Sequence, residues 1–147
     1  MTIREIIRAK GSHVITMWPE HTLSDAIRRC DENNVSSIVV TDHAGHTVGI
    51  ITDRLAIKAL ARRGIGAMNH RVTEYMQSPA PTCAPDDSVT EIMFRMTNDR
   101  FRHVVVVENG TVVGIVSIGD LVKAKLRDAD LESRILRERA LSRLAAE

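Results

Sequence analysis

Aromatic side chains are scarce: two Phe, one Tyr and one Trp make up 3% of the 147 residues. Proteins that hold single-stranded nucleic acid stack bases on aromatic rings, and nucleic-acid binders in general carry a one-sided basic excess. Twenty Lys and Arg nearly cancel nineteen Asp and Glu, leaving a net charge of +1, so nucleic acid is not expected as a partner. The two cysteines, Cys30 and Cys83, have no CxxC partner and read as small buried hydrophobes of a reducing compartment. The six histidines are scattered, with His43 and His46 in a Gly-containing turn, and no metal site is expected. No apolar run is long enough to span a bilayer, and Met1-Thr2-Ile3-Arg4-Glu5 runs straight into charge instead of opening a secretory signal. The expectation is a soluble cytoplasmic protein. No nucleophile-base pair, carboxylate dyad or Walker loop is visible, so catalysis is not expected either. Asp86-Asp87 precedes Ser88 at a helix start, where acids favour the dipole.

What the chain does have is an internal repeat. Pro19-Glu20-His21-Thr22-Leu23-Ser24-Asp25 is echoed by Pro85-Asp86-Asp87-Ser88-Val89-Thr90-Glu91, and Thr47-Val48-Gly49-Ile50-Ile51-Thr52 by Val112-Val113-Gly114-Ile115-Val116-Ser117. The offsets are 66 residues (22 to 88) and 65 (49 to 114), and the slip falls in a turn, where Asp42-His43-Ala44-Gly45-His46 faces Glu108-Asn109-Gly110. Two copies of one unit bury their apolar faces against each other, and the cleft between them is a place for a ligand.

Within each copy the order is strand, helix, strand, strand, helix. Thr22-x-x-Asp25 and Ser88-x-x-Glu91 read as capping boxes, the second being the better match. Leu23, Ala26, Ile27 and Cys30 in one copy, and Val89, Ile92, Met93 and Met96 in the other, give helical stripes expected to face a shared core. The β-branched runs Val35–Val40 and Phe101–Val107 are strands followed by turns, Asn109-Gly110 being the stronger hairpin signal. Boundaries follow: a first repeat over 8–62, a linker over 63–74, a second repeat over 75–125, and an amphipathic C-terminal helix over 126–147. That helix carries Leu131, Ile135 and Leu136 beside many charges, and it suits a subunit contact better than a solvated tail.

The doubled unit, with Gly-Ile-Val-Ser-Ile-Gly-Asp-Leu-Val at 114–122 after Arg100-Phe101-Arg102-His103-Val104-Val105-Val106, resembles the tandem cystathionine β-synthase (CBS) domain family. More narrowly it is similar to small stand-alone bacterial CBS-pair proteins. The resemblance implies an α+β fold of two β-α-β-β-α repeats packed about a pseudo-twofold axis, and a homodimer. It also implies regulatory binding of AMP, ATP or NAD(H) in clefts between the repeats, with occupancy signalled to a protein partner and no cofactor required. An alternative is an interaction module whose nucleotide cleft is vestigial.

The family pattern Gly-h-h-Ser/Thr-x-x-Asp, where h is apolar, lies in the second copy at Gly114 to Asp120. It assigns Ser117 and Asp120 to the ribose, since a carboxylate can accept from both sugar hydroxyls. Both residues could equally be capping the next helix. The first copy has Leu55 where the second has Asp120, so unequal clefts and one nucleotide per chain are expected. For the Asp120 cleft the resemblance implies Ser36 and Ser37 at the phosphate, Val35 and Ile115 along the base, and Arg54 and His21 as further polar contacts. For the Leu55 cleft it implies Arg102 and His103 at the phosphate. Alternatively Arg100, Arg102 and His103 pair with surface carboxylates.

Overall fold

The two copies fold alike. In the computed structural model, which describes residues 1–146, a leading helix α1 (Ile3–Lys10) precedes the first half: β1 (Thr16–Met17), α2 (Leu23–Asn33), β2 (Ser37–Thr41), β3 (Thr47–Thr52) and α3 (Asp53–Arg63). The second half runs β4 (Thr82–Cys83), α4 (Val89–Asp99), β5 (His103–Glu108), β6 (Thr111–Ser117) and α5 (Ile118–Ala146). Each half forms a three-stranded sheet, with the first strand parallel and the third antiparallel to the middle one. This is the expected α+β architecture with its C-terminal helix. Glu147, the last residue assigned to that helix, lies outside the described residues.

Local chemistry repeats with the elements. Asn34 and Arg100, 66 residues apart, both take the left-handed conformation that ends a helix, at φ 52° and 58°. Asn109 and Gly110 both have positive φ, as the tight hairpin after β5 requires. The caps differ from expectation. Thr22 and Asp25 close a reciprocal box, with Thr22 N donating to Asp25 Oδ2 at 2.9 Å and Asp25 N to Thr22 Oγ1 at 3.2 Å. Ser88 supplies only its half, accepting from Glu91 N at 3.4 Å. In this pair the short Asp side chain is the one that reaches back to the cap amide.

The helical stripes do not meet in a shared core. Leu23 and Ala26 of α2 pack with Ile38, Val40 and Ile51 of their own sheet, while Val89, Ile92 and Met96 of α4 pack with Val104, Val106 and Val116. The seam between the halves is made by the opposite sheet faces: Val39 and Ile50 from the first, Val105 from the second, with Ala80. Alternation along β2 explains this. Ile38 and Val40 point to the helices and Val39 to the other half, so the whole strand is buried.

Each half is completed by the segment that precedes the other. Ile3 and Ile6 of α1 lie in the core of the second half, whereas Ala67 and Val72, in the 3-10 turns Ile65–Asn69 and Val72–Glu74, lie in the core of the first. The exchange is symmetric in detail. Thr2 bridges Ser88 as Arg71 bridges Thr22, and Ile3 N donates to Asp87 O at 3.0 Å as Val72 N does to His21 O at 2.8 Å. Ile7 covers Gly114 and Met76 covers Gly49.

The two glycines differ in what surrounds them. A methyl group on Gly49 would come within 2.9 Å of the Gln77 carbonyl oxygen, which is backbone and cannot swing aside; on Gly114 it would meet only the flexible Ile7 side chain. Gly49→Ala should therefore cost about 1–3 kcal/mol and Gly114→Ala less. Urea denaturation of both variants checks this, and equal losses would contradict it.

Candidate functional site

The seam leaves a cavity of about 780 Å³ between the start of α3 and the junction of α4 with β5. From the first half come Ser36, Ile50, Thr52, Asp53, Arg54, Leu55 and Lys58; from the second come Arg100, Phe101, Arg102, His103 and Ile118. The left-handed backbone at Arg100 turns the chain so that residues 100–103 follow the cavity wall. Opposite, Thr52 caps α3 by accepting from Leu55 N at 3.2 Å, and the start of that helix faces the space.

Four cations, Arg54, Lys58, Arg100 and Arg102, line this cavity with a single acid, Asp53. Among the described residues none of the four pairs with a carboxylate, so the surface-pairing alternative finds no partner. Such a wall suits an anion with several oxygens.

Ser36 and His103 join the halves across the cavity, with Ser36 Oγ and His103 Nε2 3.2 Å apart. Burial holds the imidazole pKa below its ordinary 6.5; nearby Lys10 and Arg102 push the same way, while Asp53 and Asp120 oppose them. Since the folded value lies below the unfolded one, the neutral ring's stabilisation is complete above about pH 6.5 and is lost as pH falls through the folded value. Denaturation at about pH 7.5 and about pH 5 should show His103→Gln losing less stability than the wild type. Parallel losses would remove this role.

The pseudo-equivalent place around Ser117 and Asp120 is arranged differently. Ser117 and Asp120 form a reciprocal helix cap, with Ser117 N donating to Asp120 Oδ2 at 2.8 Å and Asp120 N to Ser117 Oγ at 3.1 Å. The carboxylate is also held by Lys10, whose ammonium sits 2.7 Å away. Burial alone would raise the Asp120 carboxyl pKa, but the Lys10 hydrogen bond, the Ser117 amide and the Lys10 charge outweigh it and hold it below the usual carboxylate range.

Arg102 and His103, expected at the Leu55 cleft, line this cavity, and Ser36 and Arg54, expected at the Asp120 cleft, line it too. Ser117, Asp120 and Ile115 gather at the Lys10 contact. Ser37 is buried in β2, and Val35 donates its amide to the Cys30 carbonyl at the end of α2. His21 stacks on Trp18, takes the Trp18 amide on Nδ1 at 2.9 Å and faces Arg29 with Nε2 at 3.2 Å; it does not line the cavity. Sequence reading missed Lys58, Gln77 and Lys10. Lys58 lies one helical turn beyond Arg54 and was legible from spacing. Lys10 was not, because the helix carrying it packs on the other half.

Comparison with known proteins places these features. The profile of the CBS domain matches residues 2–62 and 72–127. An uncharacterized 17.7 kDa protein of Acidianus ambivalens is 37% identical over 114 residues, 77% of this chain and 68% of that one. The crystal structure of the CBS-domain containing protein ATU1752 of Agrobacterium tumefaciens superposes with a TM-score of 0.82 at 34% identity, covering 85% of this chain and 99% of the other. The CBS domain pair of protein MJ0100, solved with 5-methylthioadenosine and S-adenosyl-L-methionine, matches at 25% identity and a TM-score of 0.75 over 84% of this chain and 98% of that one. The chain spans about two thirds of the length of the first curated relatives it matches.

Proposed function

The chain belongs to the CBS-domain family, and from that premise we propose that it is a regulatory module that binds an adenosine nucleotide in the cationic cavity between its repeats. One observation carries the proposal: four cations without carboxylate partners among the described residues converge on one cavity with the Ser36–His103 contact. Arg54, Arg102 and His103 would take the phosphates and Ser36 would donate to them, with the start of α3 adding its amides and dipole. Ile50, Leu55 and Ile118 supply apolar wall for the base. Leu55 offers no acceptor for a sugar diol, so phosphate-rich ligands, with AMP, ATP and NAD(H) as candidates, should gain most of their affinity at the anionic end. The MJ0100 pair binds two adenosine compounds, which supports an adenosine ligand here.

The proposed output is a change in the relation of the two halves, transmitted in the cytoplasm through a homodimer to a protein partner. Exposed Ile57, Phe94, Val122 and Leu126 on α3, α4 and α5 offer apolar surface for a second copy. Among the described residues no helix is long and apolar enough to cross a membrane. The role is binding without catalysis.

A ligand that binds only the native state raises the melting temperature. AMP, ATP and NAD(H), each at about 100 times its Kd, should stabilise the protein by about 2.7 kcal/mol. If no adenosine compound shifts the melting curve at millimolar concentration, the module acts through its surfaces alone, the reading that Leu55 and the exposed apolar residues along α5 favour.

A further inference from the structure

The pseudo-twofold relation makes the two clefts comparable position by position, and one side chain breaks the match. Ile7 and Met76 occupy equivalent places over Gly114 and Gly49, and Met17 and Cys83 end equivalent strands. Between those landmarks the first half has nine residues, 8–16, and the second has six, 77–82. The longer stretch lets α1 run on to Lys10, whereas the equivalent turn stops at Glu74. Beside the cationic cavity the shorter stretch lies flat, Gln77 pairing with Ile50 through two backbone hydrogen bonds of 2.8 and 3.0 Å. On the other side the extra helical turn carries an ammonium to Asp120.

That ammonium meets two of the four residues assigned to a nucleoside there. Lys10 Nζ donates to Asp120 Oδ2 at 2.7 Å, the ribose position, and to the Ile115 carbonyl at 2.9 Å, on the strand assigned to the base. We propose that Lys10 is a built-in occupant of the Asp120 cleft, closing it to a ribose so that each chain takes a single nucleotide, in the cationic cavity. This rests on the nucleotide reading above. A sugar diol approaching Asp120 would replace a charged donor by neutral ones on a partly buried carboxylate, and a charge-assisted hydrogen bond is roughly twice as strong as a neutral one. Ile7, seated on Gly114, holds α1 in the position that delivers Lys10.

Counting sites tests this. Calorimetric titration of the full chain with AMP should give one site per chain for the wild type, two for Lys10→Met, and one again for Lys10→Met combined with Asp120→Asn. Lys10→Gln, which also removes the charge, serves if Lys10→Met does not fold by circular dichroism. Two sites in the wild type, or one in the wild type and in the folded Lys10 variant alike, would overturn the inference and leave the nucleotide reading standing. No AMP, ATP or NAD(H) bound by any of them would overturn both.

Discussion

Replacing Ile3 by Ala is expected to destabilise the protein by about 2–5 kcal/mol, the range for truncating a fully buried aliphatic residue. Such a loss is a large share of the roughly 5–15 kcal/mol that holds a domain together. Ile3 is wholly buried, and it sits against Val89, Ile92, Val104 and Val116 of the second half, residues more than eighty positions away in sequence. The backbone around it is tied to the same half: Ile3 N donates to Asp87 O, Arg4 N to Pro85 O at 2.7 Å, and Val89 N to Met1 O at 3.1 Å. The cavity left by truncation would therefore open under α4, and hydrogen exchange should quicken first in α4, β5 and β6. Val72→Ala, the equivalent change, should loosen α2, β2 and β3 instead. An Ile3→Ala protein within about 0.5 kcal/mol of wild type, as for a surface substitution, would sink the exchanged-segment account.

The double variant Arg54→Ala, Arg102→Ala should bind AMP or ATP about 10²–10⁴-fold more weakly while melting near the wild-type temperature. A hydrogen bond to a charged group is worth about 1.5–3 kcal/mol, and two such donors act on one phosphate region. Neither arginine is engaged with a carboxylate among the described residues, so their removal breaks no ion pair of the folded state and the loss should fall on the ligand. The wild-type affinity should also weaken as salt rises from about 0.05 to about 0.5 M, because exposed charges are screened over a shortening Debye length. Nucleotide affinity unchanged by the double substitution would remove the cationic cavity as the phosphate site.

Much of this was legible from residue order. The repeat, its strand and helix order and both hairpin turns follow from pattern and spacing, since periodicity reports which face of an element is buried. The partner of that face is another matter. Leu23 and Val89 announce apolar helix faces, yet the sheets and not the helices form the seam, because β2 is buried on both sides and alternation alone does not say which neighbour each side meets. Helix α1 has a local signal in Thr2-x-x-Glu5, of which one half forms: Thr2 N donates to Glu5 Oε2 at 3.4 Å, while Glu5 N goes to the Thr2 carbonyl.

The candidate site divides the same way. The family resemblance implies Arg102 and His103 for the Leu55 cleft and Ser36 for the Asp120 cleft, yet all three line the one cavity beside Leu55. Lys10 has no motif; its role exists only because a three-residue insertion lengthens a helix that docks on the opposite half.

By itself the sequence determined that two equal β-α-β-β-α units exist and that one carries Asp120 where the other carries Leu55, for those facts are written in spacing and side-chain type. Tertiary structure alone decided which charges meet at the two equivalent places. The charge balance at each place is summed over segments distant in the chain, so four cations without carboxylate partners among the described residues gather beside Leu55 while Lys10 meets Asp120.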